Sequence, residues 1–186
     1  MKSIYVLVIS IFLSSCAVAK DIQEPKAEPR LKLAEEVLSV PLVKVIAAVT
    51  KNTGKVFFVH STARSEIVAN GINMKSINYP EFLAVLNSNY LASVEIEGIV
   101  HIFPEREARD FPLPVATESN NNFDDHEWVT KVVSSGKLPA EESIRYLRPF
   151  LSQASCFTAS RLDDSFIITT TYGNIKKMEK LLVELQ

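Results

Sequence analysis

Hydrophobic and polar positions switch between two periods along this chain, and the switches mark its elements. The clearest lies in residues 163–185, "DDSFIITTTYGNIKKMEKLLVEL". Phe166, Ile168 and Thr170 fall on one face of a strand and Ile167, Thr169 and Thr171 on the other, all aromatic or β-branched. From Ile175 the period lengthens. Ile175, Met178, Leu182 and Leu185 recur at three and four residues, with Lys176, Lys177, Glu179, Lys180 and Glu184 opposite, which predicts an amphipathic helix. Gly173 and Asn174 are expected to form the turn between the two. A strand feeding one helix buries little alone, so this unit closes a small mixed domain whose other elements lie upstream.

Upstream the same pattern repeats. "LKLAEEVLS" predicts a strand from Leu31, and Pro41 opens a helix with Leu42, Val45, Ile46 and Val49 as its apolar stripe, stopped by Asn52 to Gly54. "KVFFVH" is a short continuous apolar strand, and "GINMKSIN" alternates Ile72 and Met74 against Asn73 and Lys75 as a further one. Pro80 opens a second helix with Phe82, Leu83, Val85 and Leu86 turned inward, and "LASVEIE" and "VHIFPE" form a hairpin about Gly98. Residues 105–125, with Pro112, Pro114 and Asn120 to Asn122, lack sustained periodicity and read as a linker. Beyond them "EWVTKVVSS" alternates as a strand, Pro139 opens a helix with Ile144, Leu147 and Leu151 on one side, and "CFTAS" precedes the closing strand. Asp163 and Asp164 are turn residues. The fold class is therefore α+β: two small mixed domains, β-α-β-β-α-β-β over 31–104 and a KH-like β-α-β-β-α over 126–186.

The beginning of the chain is different. "MKSIYVLVISIFLSSCAVAKD" carries one lysine and an apolar run from Ile4 to Leu13, the pattern of a signal peptide (residues 1–19) and short for a membrane span. Two exits fit it. Ala17-Val18-Ala19 is a small-x-small cleavage site, and Leu13-Ser14-Ser15-Cys16 resembles a lipobox, in which Cys16 would carry lipid and anchor the chain. Residues 20–30, "KDIQEPKAEPR", read as an extended tether. The chain has 2 cysteines, so the other, Cys156, has no disulfide partner once Cys16 is lipidated or removed, and reads as a small buried hydrophobe.

Composition removes several functions. A formal net charge of -2 without a Lys/Arg cluster argues against nucleic acid, as does the missing Gly-x-x-Gly loop of KH modules. The 5 glycines are too scattered to cradle a phosphate. His126 beside Asp124, Asp125 and Glu127 lacks the spaced ligand set of a zinc site, and no nucleophile elbow or His-Glu-x-x-His occurs, so neither enzyme, metal nor cofactor is expected.

The quoted motifs carry a resemblance. Residues 31–104, with "SVPLVKVIAAVTKNTGKVFFV" and "INMKSINYPEFLAVLNSNYLASVEIEGIVHIF", resemble the short N-terminal (STN) domain shared by secretins and TonB-dependent transducers. Residues 126–186, with "LPAEESIRYLRPFLS" and "DDSFIITTTYGNIKKMEKLLVEL", are similar to the NolW-like domain that follows it in secretins, although Asp164-Ser165-Phe166 stands where that family has Asn-x-Leu. The resemblance implies the periplasmic docking part of a secretin without the pore domain, in the envelope of a Gram-negative-type bacterium. Its implied partners are a secretin pore subunit or the inner-membrane platform of a type II secretion or type IV pilus machine, with a homo-oligomer also open. The transducer side of the family implies instead a signalling module that binds a regulator. Leu31, Leu33 and Val37 on the first strand, the hairpin at Gly98, and Lys176, Lys177 and Lys180 on the last helix are the candidate partner-binding residues. With Ala17 rather than Asp after Cys16, an anchored form tilts toward the outer membrane.

Overall fold

The computed structural model describes residues 39–69 and 71–185. Cys16, the expected signal and tether segments, and the strand expected through Leu31, Leu33 and Val37 lie outside these residues. Strand β1 (Ser39–Pro41) runs into helix α1 (Leu42–Thr53), where Pro41, at φ -55, sets the entry; Gly54 ends the helix at φ 71 and donates its N–H to the Thr50 carbonyl at 2.8 Å. Strands β2 (Val56–Val59) and β3 (Glu66–Val68) follow, then helix α2 (Tyr79–Ser88). Its capping box is complete: Asn78 Oδ1 accepts from the Glu81 N–H at 2.8 Å and Glu81 Oε2 from the Asn78 N–H at 3.0 Å. Strands β4 (Leu91–Ile96) and β5 (Ile99–Pro104) form the expected hairpin, with Glu97 at φ 51 and Gly98 at φ 81, the paired left-handed residues of a type I′ turn.

A 3-10 turn (Glu105–Asp110) and a two-residue strand β6 (Val115–Ala116) lead to β7 (Trp128–Ser134), helix α3 (Ala140–Leu147), a short 3-10 turn (Arg148–Phe150), β8 (Cys156–Ala159), β9 (Ser165–Thr171) and helix α4 (Tyr172–Glu184). β1 and β3 pair antiparallel; β2-β5-β4 and β6-β7-β9-β8 make the two larger sheets, in which β2–β5 and β6–β7 are the parallel contacts. The architecture is α+β. No helix among the described residues is long and apolar enough to cross a membrane.

The helix faces sit where the periodicity puts them. Leu42, Val45, Val49, Phe82, Val85 and Leu86 pack with Leu91 and Ile102 on one face of the first sheet. Ile175, Met178 and Leu182 pack with Val129, Val133, Phe166 and Ile168 on one face of the second. Across that face Lys131 pairs with Glu179 at 2.6 Å. A third cluster joins the halves. Ala92, Val94 and Phe103 on the opposite face of the first sheet are covered by Ala108 of the 3-10 turn and by Trp128 of β7, with Phe111 stacked on Phe103 at 3.7 Å.

Several expectations need correction. "GINMKSIN" is no strand: the Asn73 side chain accepts from the Lys75 N–H at 3.0 Å and its carbonyl from the Ser76 N–H at 3.1 Å, closing a local turn that buries Ile77. The strand is β3, three residues earlier in the chain and too short to show a period. Gly173 and Asn174 are not a turn but the first turn of α4. Glycine suits 173 because its backbone lies against Asp125, where a Cβ would stand 3.0 Å from the carbonyl oxygen. Leu185 falls beyond the end of α4 and is 46% exposed, so it does not share the stripe of Leu182. Leu151 likewise lies past α3, in the chain after the 3-10 turn. The 105–125 segment carries the 3-10 turn and β6.

Candidate partner-binding surface

β2 and β4 are the two edge strands of the first sheet, and it is beside β2 that large apolar side chains stand exposed. β2 pairs with β5 on one side, and among the described residues no strand lies on the other. Val56 stands opposite Ile99 and Phe58 opposite His101, so these four side chains share one face. That face is the one Phe103 and Trp128 cover farther along the sheet, yet near β2 it is open: Val56 is 58%, Phe58 52% and Ile99 39% exposed. Phe57, on the other face, packs edge-on against Phe82 at 5.3 Å and holds the strand to the core. The apolar stripe is therefore presented by a rigid element.

Polar groups flank β2 at both ends, the first on the Phe57 face of the sheet. At its start Lys55 pairs with Glu95 at 2.6 Å and lies 4.7 Å from the Tyr79 ring centroid. Tyr79 is pushed up to about 12, chiefly by burial, with the carboxylate of Glu127 adding to it. Burial also raises Glu127 above the usual carboxylate range. At the other end His60 Nε2 and His101 Nδ1 are 3.3 Å apart, so one imidazole donates and the other accepts, and Phe58 meets both rings. A strand edge with an apolar face and polar ends can accept backbone hydrogen bonds and bury side chains; it offers no convergent nucleophile and base.

The residues proposed from sequence are distributed otherwise. Leu31, Leu33 and Val37 lie outside the described residues. Lys176 ion-pairs with Asp125, which raises its pKa, and sits over the Tyr172 ring at 5.2 Å. Lys177 sits over Phe150 at 5.5 Å, and Lys180 is exposed. All three are on α4, against the second sheet, and none joins the β2 stripe. His126 meets Asn87 at 3.3 Å, and its N–H donates to Asp124 Oδ1 at 3.0 Å. Cys156 is only half-buried, because it lies on β8 at the sheet's edge. Val56 and Phe58 escaped sequence reading: in "KVFFVH" every position is apolar, so no alternation distinguishes an open face from a covered one.

Comparison with solved structures bears on the fold. A chain of the Klebsiella pneumoniae type II secretion system outer membrane complex, which holds PulD, PulS and the PulC HR domain, is similar at a TM-score of 0.65 and 19% identity. The match covers 82% of this chain and 26% of that one. The chain shares its fold with that part of the secretion-complex chain. The N-terminal domain of the secretin XcpQ from Pseudomonas aeruginosa (18% identity, 80% of this chain and 64% of that one) has a TM-score of 0.30. The GspC-GspD complex of enterotoxigenic Escherichia coli (15% identity, 80% and 94%) has one of 0.29, and neither score bears on the fold. No protein-family model and no curated protein matches the chain.

Proposed function

We propose that this protein is a non-enzymatic docking module of a cell-envelope protein-transport machine, of the type II secretion or type IV pilus kind. The observation that carries the proposal is the edge of β2, unpaired among the described residues, with Val56, Phe58 and Ile99 exposed beside it. A partner strand added there satisfies the free backbone groups of β2 and covers the stripe, a common mode of peptide recognition. The fold shared with part of a secretion-complex chain favours a secretin pore subunit or an inner-membrane component as that partner. In this reading the chain works in the periplasm, held at the outer membrane where Cys16 is lipidated, with 31–104 and 126–186 as its two domains.

The test is site-specific photo-cross-linking in cells. A photoreactive residue at Val56 or Phe58 is expected to capture a secretion or pilus component, and Phe58→Asp to abolish capture while the protein accumulates normally. Capture of a signalling regulator alone would replace this reading with that of a transducer module. Equal capture from Val43, an exposed position on α1, would show that β2 has no special role.

A further inference from the structure

A second surface, separate from β2, has a different character. The 3-10 turn at Glu105–Asp110 faces α3 and β8 across a cleft of about 750 Å³, and on its other side lies a cavity of about 240 Å³ beside β4. Glu105 and Arg106 line both, so the two adjoin across these residues. Along this groove stand Arg64, Arg106, Arg109 and Arg148, with Glu105 in the lining and Glu107 and Asp110 beside Arg106 and Arg109. Burial raises the pKa of the Glu105 carboxyl.

The arginines are poorly satisfied from within. Arg106 and Arg109 reach only their sequence neighbours Glu107 and Asp110, at 3.8 and 3.9 Å, and remain 77% and 67% exposed. Arg148 is held in place, donating to the Ser155 carbonyl at 2.5 Å and lying over Phe157 at 5.9 Å. At the far end Arg64 lies over Tyr90 at 5.8 Å. Tyr90 follows Asn89 at the end of α2 with φ 59, the left-handed position where glycine is unstrained, and the residue is 63% exposed. Strain kept for an exposed aromatic side chain is a pointer to use.

We infer that this groove binds an extended acidic segment of a protein partner, its carboxylates on the arginines and its apolar side chains between Tyr90 and Phe157. Charge complementarity gives the sign of the ligand, since guanidinium forks suit carboxylates. The apolar walls between the cations, including Ile144 and Leu91, favour a peptide over a continuous phosphate polyanion.

The experiment uses the full chain and a fluorescent synthetic peptide alternating glutamate with leucine, followed by anisotropy. Binding that falls with added salt, is absent for the lysine-leucine counterpart, and weakens at least roughly tenfold in the Arg106→Glu, Arg109→Glu double variant supports the site. The same charge change at the exposed Lys44 and Lys51 on α1 is expected to leave binding unchanged. Tyr90→Gly separates use from architecture: relieved of the left-handed backbone, it is expected to melt no lower than the parent yet bind the peptide more weakly. Failure of the parent to bind, equal binding by the double variant, or unaltered binding by Tyr90→Gly overturns the proposal. So does equal or tighter binding of polyphosphate or anionic phospholipid vesicles, which would make phosphate the ligand.

Discussion

Trp128 is the chain's single tryptophan and the side chain through which β7 meets the first sheet. It is 2% exposed and packs with Ala92, Val94, Phe103 and Ala108. Trp128→Ala removes an indole from a filled site, a change that costs about 3–5 kcal/mol. Each half has under about 80 residues, a size at which a core alone supplies only about 3–5 kcal/mol. The loss is therefore comparable with the stability of either half. For a chain of this length it lowers Tm by roughly 6–20 °C. Trp128→Phe behaves differently. The buried indole Nε1 has no hydrogen-bond partner, so its removal recovers about 1–3 kcal/mol, while a residual cavity of a few tens of Å³ costs about 1 kcal/mol. The phenylalanine variant is expected within about 1–2 kcal/mol of the parent, on either side.

Urea unfolding followed in parallel by tryptophan fluorescence and far-UV circular dichroism checks this. In the parent the fluorescence reports the junction alone and circular dichroism reports both halves, so coincident curves show that the halves unfold together. In Trp128→Ala the circular dichroism curve is expected to split or broaden as 31–104 and 126–186 uncouple. An alanine variant with an unchanged midpoint would refute the idea that Trp128 couples the halves. A phenylalanine variant as damaged as the alanine one would show that the indole N–H makes a needed hydrogen bond.

Asn89→Leu tests a different joint: the buried Asn89 amide accepts from the Val68 N–H and donates to the carbonyls of Val68 and Val85, each at 2.8 Å, so its loss is expected to cost about 2–4 kcal/mol in urea unfolding and to expose β3 to hydrogen exchange first. The raised pKa of Glu127 favours its protonated form in the folded state, so its contribution is present at low pH and is lost as pH rises through the folded value. Glu127→Gln, which keeps an acceptor for the Asp124 N–H, is accordingly expected to raise Tm at neutral pH and to flatten the slope of Tm against pH just above the ordinary carboxylate range. An ultraviolet titration is expected to show one tyrosine ionising late, near pH 12, and Tyr79→Phe to remove that step.

The parts of this fold legible in sequence are those whose pattern is long relative to its period. The stripe of α4 repeats through Ile175, Met178 and Leu182, and β9 alternates over seven residues, so both were plain. β3 has three residues and cannot show alternation, whereas Ile72 and Met74 alternate by accident in a turn set by the Asn73 side chain. The 3-10 turn is hidden for a related reason: in "EREARD" only Ala108 is buried, and a single alanine among charges carries no hydrophobic signal. The candidate surfaces were the least legible. An open edge is a property of sheet order, and the arginine groove assembles positions 64, 106, 109 and 148 only after both halves have folded.

The same junction explains why one chain can present two unlike surfaces. The first sheet has helices on one face, so its other face must be covered or left open. Trp128, Phe111 and the 3-10 turn cover the part over β4 and β5, and the cover stops short of β2, where Val56 and Phe58 remain exposed. The turn that supplies the cover also carries Arg106 and Arg109 outward into the groove. An apolar strand edge and a cationic groove are thus both fixed by the docking of residues 105–128 onto the first sheet. Loosening that dock in Trp128→Ala is therefore expected to weaken capture at Phe58 and peptide binding at the groove together, whereas Phe58→Asp and the Arg106, Arg109 double variant each affect only one.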